Sequence, residues 1–90
     1  MVVYIHRRKS DKKPFYIGVS KNLKRPYDFN ARTPYWKRVK QMHGVIVEIY
    51  AVDIEKWAAY KTEGYLILKY CDTVININGN VTTKYNKYVL

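Results

Sequence analysis

Two tyrosines, Tyr4 and Tyr16, each sit in the middle of a short apolar run, with eleven residues between them. A phenol can orient a water or, if it loses its proton, take one from it. With an ordinary pKa near 10 it needs positive charge close by to act as a base at neutral pH. Arg25 follows the second run, directly before Pro26, and a guanidinium at that point suits bidentate contact with a phosphate. Glu63 lies on an apolar stretch with helical periodicity. Its neighbours three and four places away are Ala59, Tyr60, Leu66 and Ile67, whereas the polar stripe runs through Glu55, Thr62 and Lys69. A carboxylate leaving the wet stripe needs compensation by a cation, an arginine or hydrogen bonds. Other readings stand beside these: cross-strand aromatic packing for the tyrosines, a structural ion pair for Glu63, a solvated charge for Arg25. His6 shares strand parity with Tyr4, and Asn76 alternates with apolar neighbours late in the chain.

The elements that must position these groups follow from local pattern. Val2 to His6 is β-branched and aromatic, which predicts a strand. Phe15 to Val19 predicts a second, joined to the first by the polar run Arg7 to Lys13 as a hairpin, with Pro14 at an edge or loop position. Strand alternation puts Tyr4 with His6 and Tyr16 with Gly18, and puts Val3, Ile5, Phe15 and Ile17 on the opposite face. Gly18 implies a close approach or a sharp exit from the strand. Ser20 to Arg25 reads as one helical turn capped by Ser20 and stopped by Pro26. Thr33-Pro34 opens a firmer helix and Gly44 closes it. Val45 to Val52 predicts a third strand. Asp53 is the expected cap of the longest helix, which runs to about Tyr70, with Glu55 in its first turn. Thr73 to Ile77 is β-prone, and Asn78-Gly79 signals a turn. The order β-β-α-α-β-α predicts an α/β (α+β) domain spanning residues 1–90, with a small central antiparallel sheet of about three strands flanked by helices.

Composition narrows the function classes. The chain has 90 residues, enough for one modest core. Residues 1–44 carry twelve Lys and Arg against two acids, which is the whole formal surplus of +10; residues 45–90 carry five of each. Such a lopsided surplus points to a face that meets a polyanion. Lys21, Lys24, Arg32, Lys37, Arg38 and Lys40 are the candidates to follow a phosphate backbone. One cysteine and two histidines exclude an internal disulfide and a four-ligand Cys/His zinc site. No apolar run approaches the roughly 20 residues of a membrane span and no leader pattern opens the chain. The expected setting is the reducing cytoplasm of a bacterial or phage-infected cell, without a membrane partner.

Taken in order, these positions resemble the GIY-YIG nuclease family. The two name-giving tripeptides stand as Val2-Val3-Tyr4 and Tyr16-Ile17-Gly18, at the family's spacing. Arg25, Glu63 and Asn76 fall in the slots of the family's catalytic arginine, metal-binding glutamate and late asparagine. The run Arg32-Thr-Pro-Tyr-Trp-Lys-Arg-Val39 is similar to one branch's helix start, and Glu63-Gly-Tyr-Leu-Ile67 to the run on its long helix. The resemblance covers roughly residues 2–80.

It implies a DNA endonuclease, with RNA as a further target, that hydrolyses a phosphodiester with one Mg²⁺ or Mn²⁺ held by Glu63. Tyr4 would act as general base, Tyr16 would orient water or phosphate, Arg25 would neutralise developing charge, and Asn76 would brace the site. Phe29 occupies the slot where many members carry a histidine. His6 is then the stand-in helper base, ahead of His43. No sequence-reading module accompanies the catalytic one. The expectation is therefore a monomer or weak homodimer, with specificity from a loop such as Arg7 to Lys13, from a dimer or from a separate DNA-reading partner. The alternatives are a nucleic-acid-binding module of the same fold without turnover, or an interaction domain whose basic half meets an acidic partner.

Overall fold

In the computed structural model, which describes residues 1–74, the order is β1 (Val2–Arg8), β2 (Pro14–Ser20), a 3₁₀ turn (Arg25–Tyr27), α1 (Pro34–His43), β3 (Val45–Ala51) and α2 (Lys56–Lys69). The three strands form one antiparallel sheet in the order β2-β1-β3. This is the mixed α/β fold the sequence predicts. β1, paired on both sides, is buried from Val2 through His6, whereas the edge strand β3 is half-buried along most of its length. Its apolar residues on both faces therefore do not mark a central strand.

Register sets which side chains meet. Tyr4 lies opposite Gly18 and His6 opposite Tyr16, so these four share one face. Val3, Ile5 and Ile17 turn the other way and join Ala59, Leu66 and Ile67 of α2 in a buried cluster. Each large apolar side chain buried there contributes roughly 1.5–3 kcal/mol. Between His6 and Arg7 the pairing slips by one residue, leaving Phe15 as the extra residue of a bulge. The expected alternation fails at that point. Phe15 packs with its ring centroid 6.2 Å from His6 and 5.7 Å from Trp36, on the tyrosine side.

α1 begins and ends where its caps dictate. Thr33 Oγ1 accepts from the Trp36 amide at 3.2 Å, Pro34 fills the first helical position, and Gly44 closes the helix with φ of 73°. A side chain there would also crowd Lys9. α1 carries Trp36, 1% exposed, onto the sheet face opposite α2.

Two local expectations are corrected. Ser20 ends β2, and the helical turn forms later, at Arg25–Tyr27, with Pro26 inside its start rather than stopping it. There a missing N–H costs nothing. The Asn22 side-chain oxygen accepts from the amides of Lys24 and Arg25 and so fixes this turn. Asp53 adopts φ of 55°, a left-handed turn, and Glu55 occupies the cap position of α2 with no side-chain cap bond.

Gly18 has a specific reason to lack a side chain. A Cβ built on it would overlap the buried Tyr4 ring at Cζ, Oη and Cε1. Gly18→Ala is expected to destabilise the fold by about 3 kcal/mol, the upper end of overpacking costs, because the ring is walled in. Guanidinium denaturation measures this. A loss below about 1 kcal/mol would mean that the Tyr4 ring can move aside.

Candidate active site

The tyrosine side of β1 and β2 gathers the chemistry. The Tyr4 and Tyr16 rings lie 6.3 Å apart, tilted by 36°. Tyr4 is buried and Tyr16 half-buried. Arg32 enters from the segment before α1. Its Cζ lies 5.7 Å from the Tyr4 ring, 5.2 Å from Tyr16 and 5.6 Å from Trp36. Its Nη1 donates to Tyr4 Oη at 3.2 Å, its Nε to the Asp28 carbonyl at 2.9 Å and its Nη2 to the Arg25 carbonyl at 2.8 Å. A guanidinium so hooked to two backbone carbonyls is fixed in plane, and it has further N–H groups for a ligand. Because arginine only donates, Tyr4 Oη is the acceptor, and its own proton points elsewhere.

Arg25 has a different place from the one expected. Its Nη1 pairs loosely with Asp28 at 3.5 Å and its Nη2 donates to the Ala31 carbonyl at 3.2 Å. Arg32, assigned from sequence to the phosphate-tracking group, is the guanidinium that meets the phenols. The signal for it is its position just before the Thr33 cap of a helix whose tryptophan must face the sheet. Arg25 still contributes its charge to the neighbourhood, as Tyr16 records.

Tyr16 reports on its surroundings. Burial first, then Tyr4, pushes its phenol above the ordinary value. The Glu63 carboxylate pushes the same way, while Arg32 and Arg25 pull it down. Glu63, 8% exposed on α2, thus comes within electrostatic reach of the same hydroxyl as Arg32. Three residues singled out from sequence (Tyr4, Tyr16 and Arg32) are drawn together, with Glu63 and Arg25 acting on Tyr16 through their charge. Asn76 lies outside the described residues.

His6 is not available as the helper base. Trp36 Nε1–H can only donate, and it donates to His6 Nδ1 at 3.0 Å. The proton therefore sits on Nε2, which donates to the Pro26 carbonyl at 2.7 Å. Both nitrogens are spent. Burial lowers the imidazole pKa to about 4; the Pro26 carbonyl opposes this, and the charges of Arg32 and Arg25 add to it. His6 ties β1 to the 3₁₀ turn and to α1, between the Tyr4 ring at 5.0 Å and the Tyr16 ring at 5.5 Å. His43 bonds Ser10 at the hairpin loop instead.

The basic residues form a solvent-facing rim. Lys21, Lys24, Lys37, Arg38 and Lys40 are exposed, on the turn after β2 and on α1. In the hairpin, Arg7 pairs with Glu48 and Arg8 with Asp11, both at 2.7 Å. Among the described residues no group of three or more His, Cys, Asp or Glu side chains gathers for a metal, and no helix is long and apolar enough to cross a membrane. Set against family models, curated proteins and solved structures, the chain gives no match in any of the three.

Proposed function

We propose that this chain is a Mg²⁺- or Mn²⁺-dependent endonuclease that hydrolyses DNA phosphodiester bonds, as its resemblance to the GIY-YIG family implies. The observation that carries this reading is the convergence of two phenols and a carbonyl-hooked guanidinium on one face of the sheet, with the Glu63 carboxylate within electrostatic reach of Tyr16, in a strongly basic chain. The donor set fits the ion. Carboxylate and phenol oxygens are hard ligands, and Mg²⁺ commonly takes one or two carboxylates with waters and substrate phosphate instead of a protein cage. Glu63 would hold it. The bound ion would supply charge neutralisation at the scissile phosphate and the leaving 3′ oxygen.

The residues then divide the work. Arg32 binds a non-bridging phosphate oxygen and needs no reorganisation, because two carbonyls already fix it. Tyr4, once its own proton has passed to solvent, takes the proton of the attacking water as the water oxygen bonds to phosphorus and the bond to the leaving oxygen breaks. Tyr16, its phenol held above the ordinary value, stays protonated and donates to the water or the phosphate. The exposed lysines and Arg38 follow the flanking phosphates of DNA, or of RNA, which makes binding salt-dependent. A monomer or weak dimer in a reducing bacterial or phage-infected cytoplasm, guided by a separate DNA reader, suits so small a module.

A nucleic-acid-binding module without turnover is the second reading. The internal bonding of His6 and the phenylalanine in the histidine slot favour it. A supercoiled plasmid distinguishes the two. With Mg²⁺ or Mn²⁺, nicked product is expected, and with EDTA none. Intact plasmid under every divalent ion tried, together with a salt-sensitive gel shift, would replace the nuclease with the binding module.

A further inference from the structure

Beside the tyrosine cluster, between α1 and the segment before it, lies a groove of about 440 Å³ lined by Phe29, Asn30, Lys37, Lys40 and Gln41. We infer that it receives one unpaired nucleotide next to the phosphate held at Arg32, so that the preferred substrate is DNA with a single-stranded flank. The inference deepens the nuclease reading and rests on it for the placement of that phosphate.

The volume falls within the roughly 300–1,000 Å³ of small-ligand sites. The lining has the parts a nucleotide needs. Phe29 offers an aromatic ring held from behind, edge-on to His6 at 5.9 Å and tilted against Trp36 at 5.2 Å. Lys40 reaches over the ring, its Nζ 5.6 Å from the centroid. Lys37, one turn earlier on α1, supplies a second cation on the same face. Asn30 and Gln41 each present an amide with a donor and an acceptor, the pair that matches a base edge.

No carboxylate lines the groove. Two cations alone would accept any anion; the ring and the two amides add a flat, hydrogen-bonding body to that anion. A base stacked within a duplex cannot enter such a groove, so the nucleotide must be unpaired.

Position links the groove to the reaction. Trp36 packs against Phe29 with ring centroids 5.2 Å apart and also lies under the Arg32 guanidinium, 5.6 Å from its Cζ. The stacking ring and the proposed phosphate site thus share one indole as a neighbour, which makes the bound base a near neighbour of the scissile bond.

The test is done in EDTA, so that binding is read without cleavage. A short single strand carrying 2-aminopurine, a blunt hairpin duplex of the same sequence, and that duplex with a 2-aminopurine overhang are titrated by anisotropy and by 2-aminopurine fluorescence. The single strand and the overhang are expected to bind about tenfold tighter than the blunt duplex, with the probe's emission quenched by stacking.

Phe29→Leu, which keeps apolar packing on Trp36, should weaken the unpaired substrates by about fivefold or more and leave the blunt duplex where it is. Gln41→Ala, at an exposed helix position where the fold is not at risk, should weaken the same substrates selectively. Equal affinity for all three DNAs, an unquenched probe, or equal losses on paired and unpaired DNA would overturn the inference. Cleavage of plasmid with a silent groove would refute this inference alone. Selective binding without cleavage would refute the nuclease instead.

Discussion

Arg32→Ala is expected to slow DNA cleavage by about 10²–10³-fold, the usual cost of removing one preorganised donor from a developing charge. Arg25→Ala should slow it by no more than about tenfold, a loss of long-range field alone. The two arginines differ in what holds them. Arg32 donates to Tyr4 Oη and is fixed by the carbonyls of Arg25 and Asp28 above two tyrosine rings. Arg25 turns to Asp28 and Ala31 and acts on Tyr16 through its charge.

Arg32→Lys should not restore the rate, since a point charge cannot reproduce three directed N–H bonds in one plane. Glu63→Gln, which keeps size and removes charge, should lose at least as much as Arg32→Ala and should no longer respond to added Mg²⁺. Single-turnover rates on a nicked-product assay rank the variants, and thermal melts establish that each is folded. A larger loss at Arg25 than at Arg32 would return the transition-state role to the residue the sequence pattern favours.

That exchange of arginines shows where sequence reading stops. Strands, helices and their order follow from short-range rules: β-branched and aromatic runs for β1 and β2, and a Thr-Pro start with a glycine stop for α1. The pairing of Tyr4 with Tyr16 was legible for the same reason, because alternation along two adjacent strands leaves few choices. Phe15 was not, because one slipped residue at the bulge turns it to the other layer and nothing local marks the slip. Asp53 has the residue type of a cap, but its left-handed backbone removes it from that place.

The guanidinium groups of Arg25 and Arg32 take different partners because of the path of the 3₁₀ turn, which an asparagine side chain and two carbonyl hooks decide together. Glu63 was legible as an anomaly on a helix wheel, while the partner of that anomaly belongs to tertiary structure. His6 is the clearest case. Its residue type fits a helper base, and only the indole thirty positions later makes it structural.

The burial of His6 also gives the molecule a pH-dependent stability. His6 is fully buried and neutral, with its Nδ1 accepting from Trp36 and its Nε2–H donating to Pro26. Burial disfavours the charged imidazolium most, the Pro26 carbonyl opposes this, and the charges of Arg32 and Arg25 add to the burial effect. The imidazole pKa therefore falls from 6.5 to about 4. In the unfolded chain the same group binds its proton at about 6.5. Between those values the unfolded state holds more protons than the folded one, so stability rises with pH across that window and is complete above it. The expected loss on acidification from pH 7 to pH 4 is about 3 kcal/mol, a large share of the stability of a domain this small.

Chemical denaturation at a series of pH values reads the slope directly. His6→Gln removes the titrating group and should flatten the slope through this window, although the variant starts lower at pH 7. Wild-type stability that is level from pH 7 to pH 4 would contradict the buried neutral imidazole. The same bonding has a kinetic consequence. If His6 is structural and Tyr4 takes the proton, the cleavage rate should show no inflection near pH 6.5. An acidic limb there that disappears in His6→Gln would put the imidazole back into the reaction.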